Sequence, residues 1–454
     1  MKNTHDEKAL HKSAFGDNFA WGVSTSAYQI EGGAFAEGKS ASIWDEFCKK
    51  NKKALNHANA EVSCNFYENY RQDIALLKQM NIKHFRFSIS WARILPQGTG
   101  KVNQAGIDYY RDVLECCKAH GIQPWVTLYH WDLPQCLQAK GGWCNRDIVQ
   151  WFLEFVQCCI TNFADYIKHW IVLNEPMVFT GAGYFLGVHA PGKKGLKHFL
   201  PAVHHTVLCQ AQGISLIQQQ LPEAHVGTSF SCSLVEANSN STKDIAAADR
   251  IDKLINRLFV EPLLGLGYPS INRVLDRKLK KYILPGDDKL MQAKPHFIGI
   301  QNYTREIVRH SMWVPYINAK IVEAKFRAVQ TTEMNWEVYP PAIYEMLKQF
   351  SAYKGVQSIV ITENGAAFPD NIIQGKVHDK LREKFIKQYL AKVQLAKDEG
   401  MPVNGYFVWS FIDNFEWAEG YKPRFGLVHV DFDTQQRTVK QSGKWYASFL
   451  KDEA

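Results

Sequence analysis

Eight short apolar runs alternate with longer stretches of helical spacing through the 454 residues of this chain. The runs fall at 19–23, 84–89, 124–129, 170–173, 225–230, 296–300, 358–361 and 405–409. Between them apolar residues recur at helical intervals, as in Phe66, Tyr70, Ile74 and Leu77, or Ile107, Tyr110, Val113 and Leu114. A third pattern, 151–163, is apolar nearly all round, and a fourth spans 381–396. Strands that alternate with helices predict a parallel α/β protein. No Gly-rich phosphate loop follows the first run, which argues against a dinucleotide-binding sheet. Eight strands favour a (β/α)8 TIM barrel with extended βα loops, a fold that can exceed about 400 residues as one unit. The expectation is therefore a single domain over 1–454 with a short N-terminal tail at about 1–14.

Composition narrows the function. Hydrophobic residues make up 46% and charged residues 22%, which excludes a disordered chain. No apolar run is long enough to predict a membrane span. The net charge of +8 is carried in part by basic clusters at 49–53 and 277–281, read as solvated loops or helix ends. A nucleic-acid binder would need a basic face with interleaved aromatics, and none is found. The ten cysteines include no C-x-x-C pair, so zinc-ribbon and thioredoxin readings fail. Buried free thiols in a reducing compartment fit them better. The charged N-terminus lacks a secretory apolar core, and the terminal KDEA departs from the retention signal at its last position. A cytoplasmic location with no membrane partner is the expectation. The polar stretch 236–244 reads as a loop.

In such barrels the chemistry sits at the C-terminal strand ends. There the sequence places Gln29, Arg86, His130, Asn174-Glu175, Gln301-Asn302-Tyr303, Glu363 and Trp409, with Glu416 and Trp417 in the last loop. Two of these are carboxylates directly after strongly apolar strands, IVLNE and IVITE. Holding two carboxyls at the rim of buried strands costs desolvation and splits their pKa values. That is what a general acid and a nucleophile in glycoside cleavage require. Singly, either Glu could be a rim residue paired with an Arg, His130 a core histidine, and each Trp a packing residue. The thirteen Trp also offer stacking surfaces for the apolar face of a flat ligand.

Seven segments, in order, resemble glycoside hydrolase family 1, the β-glucosidase family. They are FAWGVSTSAYQIEGG (19–33), FRFSISWARILP (85–96), VTLYHWDLPQCL (126–137), IVLNEP (171–176), WEVYP (336–340), IVITENG (359–365) and GYFVWSFIDNFEWAEGYKPRFGL (405–427). The resemblance implies that Glu175 is the general acid/base and Glu363 the nucleophile of a retaining β-glucosidase. It implies substrate-binding roles for Gln29, His130, Trp131, Asn174, Tyr303, Trp336, Trp409, Glu416 and Trp417. Trp336 would be the platform under the leaving group. Arg86 and Tyr303 would steady the nucleophile, and a guanidinium beside a carboxylate should help keep the pKa of Glu363 low. No metal or organic cofactor is implied.

The chain departs from the family pattern at two places. Gln301-Asn302-Tyr303 stands where Asn-Tyr-Tyr is common, so the hydrogen-bond network at the nucleophile is expected to differ. His296 replaces the usual acid before Phe297. Glu175 argues against thioglucosidase activity, and Glu416-Trp417 argues for an unphosphorylated sugar. The expected partner is a β-glucoside or cello-oligosaccharide. Rival readings are a β-galactosidase, a β-fucosidase or a broad-specificity β-glycosidase, a transglycosidase, and a non-catalytic sugar-binding scaffold.

Overall fold

The computed structural model describes residues 10–51 and 55–451. Eight parallel strands close into one barrel: β1 (Ala20–Ser24), β2 (His84–Ser88), β3 (Gln123–Tyr129), β4 (His169–Asn174), β5 (His225–Ser231), β6 (Phe297–Gln301), β7 (Ile359–Asn364) and β8 (Val403–Trp409). Each strand pairs with the next in sequence, and β8 closes on β1 with Ser24 opposite Trp409. The long helices lie between these strands; most bury one stripe, while the longest, Leu196–Gln220, is buried on every side from Phe199 to Ala211. Helix Ile148–Phe163 buries Ile148, Phe152, Phe155, Val156, Cys159, Ile160 and Phe163, at helical spacing. Trp151 and Cys158 are partly buried against the same core, so burial favours one side although apolar side chains occur nearly all round.

Ala20, Trp125, Ile171, Phe297, Val360 and Phe407 come from six different strands and form one buried cluster. The Trp125 ring lies 5.4 Å from the Phe297 ring, although β3 and β6 are not neighbours. That contact must cross the barrel interior. These residues lie toward the strand starts, so the barrel is plugged there and a ligand can enter only from the C-terminal end.

Two strands are interrupted at their C-terminal ends. In β4 the register slips between Ile171 and Asn174, and in β7 between Ile361 and Glu363. A bulge of this kind turns the following side chains away from regular alternation. β7 also runs on to Asn364, so Glu363 sits inside the strand rather than just beyond it. Past it, a Cβ on Gly365 would lie 1.8 Å from the Trp409 carbonyl oxygen. The ends of β7 and β8 are that close because the residue is glycine.

The stretch 236–244 is less irregular than expected. Leu234–Ala237 is a strand, sheeted with Arg305–His310 and Ala319–Ile321, and helix Thr242–Asp252 begins at a Ser241 cap that accepts from the Asp244 amide. Only the four residues between them are loop. Of the proposed tail, residues 1–9 lie outside the described ones. Lys12–Phe15 form a 3-10 turn with Phe15 buried. Lys52 and Lys53 of the first basic cluster and the last three residues of KDEA also lie outside the described residues. All ten cysteines are free thiols, and six are buried.

Candidate active site

Glu363 is held by three side chains, from β2, from the end of β6 and from the segment just after β6. Arg86 of β2 forms an ion pair with its Oε1. The Tyr303 hydroxyl donates to Oε2 at 2.6 Å, and Gln301 Nε2 donates to Oε1 at 2.9 Å. Arg86 is fully buried and its other nitrogens donate to Asn174 Oδ1 (2.5 Å) and Thr127 Oγ1 (3.1 Å). Gln301 also donates to Asn174 Oδ1 at 2.7 Å. Asn174 Nδ2 lies 3.0 Å from His130 Nε2. One net of hydrogen bonds thus runs from β3 through β4, β2 and β6 to β7.

Glu175 follows β4 directly. Its amide donates to the Ser229 carbonyl at 2.9 Å, and Pro176 then starts a short helix. Its backbone is left-handed, with φ 44°, as are those of Trp131 (φ 76°) and Trp417 (φ 49°). For residues with a Cβ this conformation costs about 1–3 kcal/mol each and persists only where packing enforces it.

The two carboxyl side chains line a cavity of about 290 Å³ at the C-terminal mouth of the barrel. At one end of it aromatic rings crowd together. Trp417 lies 4.7 Å from Trp131, and His130 stacks with both Trp409 and Trp417 at 6.0 Å. Glu416 joins this wall and receives Gln29 Nε2 at 3.4 Å. Trp336 lies 5.2 Å from Tyr303 and 6.1 Å from Phe425. Of the expected site residues, His130, Trp131, Glu175, Tyr303, Trp336, Glu363, Trp409, Glu416 and Trp417 line the cavity. Gln29, Arg86 and Asn174 are fully buried behind that wall. The Gln29 amide nitrogen is shared among Asn414 Oδ1, the Phe415 carbonyl and Glu416. It braces the loop that carries Glu416.

Burial pushes the Glu175 carboxyl well above the usual carboxylate range, and the Glu363 charge adds to the rise, while Ser231 and Arg86 oppose it. Burial raises Glu363 as well, against the opposing pull of Arg86, Tyr303 and Gln301. Arg86 does pull this pKa down as expected, yet the net shift is upward. Arg86 limits the rise, but desolvation outweighs it. Glu416 is pushed up to about 8 by burial and then by the charge of Glu363. His130 is driven well below its ordinary value by burial and by Arg86, so its ring is neutral.

Residues 11–454 match the family model described as glycosyl hydrolase family 1. The chain belongs to that family. Similar family 1 proteins include beta-glucosidase A of Thermotoga maritima, 39% identical over 445 residues, 98% of this chain and 99% of the relative. Beta-glucosidase 42 of Arabidopsis thaliana is 37% identical over 470 residues, 97% of this chain and 95% of the relative. The solved family 1 β-glucosidase from Thermotoga maritima superposes with a TM-score of 0.92 at 38% identity, covering 97% of this chain and 99% of that one. The same enzyme in complex with glucoimidazole gives 0.91 at 39% identity, with the same coverage.

Within this family 1 site the two departures have different weight. Gln301 lies in the net, where its longer amide reaches both Asn174 and Glu363. His296 lies just before β6 begins, at the plugged end, where its Nδ1 accepts from the Val226 amide at 3.1 Å. The structure thus separates it from the cavity. Ser231, His189, Met334 and Glu306 also line the cavity and were not singled out from the sequence. Ser231 is the last residue of β5, so the strand-end rule could have found it. Glu306 sits on a strand outside the barrel, and no barrel rule points to it.

Among the described residues, Asp370, Asp413 and His429 are the one grouping close enough to share a cation. Lys440 Nζ already lies 2.7 Å from both aspartates. An ammonium thus fills the place a metal would take. Among the described residues no helix is long and apolar enough to cross a membrane.

Proposed function

We propose that Glu363 is the nucleophile and Glu175 the acid/base of a retaining β-glucosidase. The observation that carries this reading is the unequal setting of the two carboxyls. Glu363 has a guanidinium partner and two neutral donors, which favour its ionised form. Glu175 has no ion pair among the described residues and feels the charge of Glu363. The proton of the pair therefore resides on Glu175.

Glu363 attacks the anomeric carbon while Glu175 protonates the leaving oxygen, and the C–O bond to the leaving group breaks. A covalent glycosyl-enzyme forms and the charge of Glu363 disappears. The pKa of Glu175 then falls, and its carboxylate takes a proton from water as that water attacks the anomeric carbon. The sugar leaves with the β configuration it entered with. Trp409 and Trp417 offer apolar faces to the pyranose C–H groups, and Glu416 and His130 offer polar atoms to its hydroxyls. The substrates are β-glucosides and cello-oligosaccharides. The whole chain acts as one catalytic domain, and its place is the cytoplasm.

Labelling tests the assignment. Treatment with a 2-deoxy-2-fluoro-β-glucoside should trap the intermediate, and mass spectrometry should find the label on the peptide containing Thr362-Glu363-Asn364. A label on any other carboxylate removes Glu363 from the role.

A further inference from the structure

Five carboxyl side chains line the cavity: Glu175, Glu306, Glu363, Glu416 and Glu419. No Lys or Arg is among its lining residues in the described chain. The mechanism uses Glu175 and Glu363, and Glu416 belongs to the crowded aromatic end. Glu306 is unlike these. It is carried by Arg305–His310, in the small sheet outside the barrel, and it joins the wall with Thr304, Ser233, Met334 and Trp336. These neighbours lie around the Trp336 platform, where the leaving group is expected.

The cations near Glu306 are engaged elsewhere. Arg305 donates to Glu337 through two nitrogens, at 3.0 and 2.8 Å, and to Glu236 at 2.7 Å. Arg327 donates to Glu337 at 2.6 Å. Glu306 itself makes no hydrogen bond or ion pair with any described side chain; it feels only the more distant attraction of Arg327 and the repulsion of Glu337. Burial pushes its carboxyl up to about 7. A half-buried carboxylate without donors is costly in the empty enzyme. Donors on a bound molecule would relieve that cost, and a second negative charge would add to it.

We propose that Glu306 sets leaving-group specificity: its carboxylate accepts hydrogen bonds from the hydroxyls of a leaving-group sugar and turns away leaving groups that carry negative charge. This inference rests on the β-glucosidase reading above. It names a residue for the leaving group, where the sequence offered only the Trp336 platform.

The test is kcat/KM at about pH 7.5 for cellobiose, nitrophenyl β-glucoside and para-carboxyphenyl β-glucoside, in the native enzyme, Glu306→Gln and Glu306→Ala. Glu306→Ala should lose on the order of tenfold on cellobiose, the worth of a hydrogen bond to a charged acceptor, and change by less than about twofold on nitrophenyl glucoside. Glu306→Gln keeps an accepting oxygen and should hold most of the cellobiose rate. Both variants should improve on carboxyphenyl relative to nitrophenyl glucoside by about fivefold, because a repelling charge is gone. Ratios among the three substrates that stay constant in both variants overturn the proposal, whether the rates hold or fall together. A native enzyme that leaves nitrophenyl β-glucoside intact overturns the underlying reading instead, before any variant is made.

Discussion

Glu175 and Glu363 are the same residue type in one cavity, and their surroundings divide the work between them. Replacing Glu175 by Ala removes the proton donor. Substrates with poor leaving groups should slow by on the order of 10²–10⁴, and activated aryl glucosides far less. Azide should restore turnover and yield β-glycosyl azide; equal losses on both substrate types without rescue would count against the role. The pH profile follows from the same pair. Glu363 must be ionised, and both burial and its neighbours act on that ionisation. Its acid limb in kcat/KM should therefore lie above the ordinary glutamate value, with the basic limb set by loss of the Glu175 proton. The Tyr303 hydroxyl stabilises the Glu363 carboxylate and so lowers its pKa. Tyr303→Phe should accordingly move the acid limb to higher pH. A limb that stays put or moves down would show that this bond does not govern the ionisation.

At the scale of strands, the site depends on where regular pairing stops. The register slips in β4 and β7 fall immediately before Glu175 and at Glu363. A regular strand alternates its side chains, so a uniform continuation would aim these carboxyls by parity alone. Gly365 holds the next constraint. A Cβ there would overlap the Trp409 carbonyl, so Gly365→Ala must push the end of β8 away. The strain should cost about 1–3 kcal/mol, read as a lowered melting temperature. KM should rise as well, because Trp409 carries part of the cavity wall. A variant with native stability and native KM would mean that the strand ends yield at no cost.

For the molecule as a whole, the loops after β7 and β8 are joined by a buried charge network. Lys440 Nζ contacts Asp370 and Asp413 at 2.7 Å. Arg382 pairs with Asp370 and Asp379, and Asp379 accepts from the Ser442 amide at 2.8 Å. The network thus links the last helix, Gln441–Leu450, to helix Lys380–Asp398 and to the loop that bears Glu416. Lys440→Met leaves two aspartates short of a cation in a dry setting. Removal of one partner from a buried pair costs about 3–5 kcal/mol. Thermal or urea unfolding should show a loss of that order, and a loss below about 1 kcal/mol would mean that Arg382 and Arg424, which lies 2.8 Å from Asp413, suffice. The same helix packs Phe449 against Trp21 and places the Tyr446 hydroxyl 3.2 Å from the Gly22 carbonyl, so it is fastened to β1.

The alternation of eight apolar runs was enough to predict a parallel barrel, because burial on both faces leaves a strand with a continuous apolar run. The strand-end residues followed from that fold, and nine of the expected site residues do line the cavity, with Gln29, Arg86 and Asn174 behind it. Local pattern carries this information since each strand and helix is contiguous in sequence. Tertiary structure decided the rest. Whether Arg86 or desolvation prevails at Glu363 depends on everything packed around the pair. That Gln301 bridges Asn174 and Glu363 depends on three strands meeting in one register. His296 and Gln301 lie five positions apart in sequence and at opposite ends of β6, one at the plug and one at the chemistry. Glu306 enters the cavity from a sheet outside the barrel, whose partner strand lies some seventy residues away in sequence. No period in the sequence records such placements, because they arise from contacts between segments that only the closed barrel brings together.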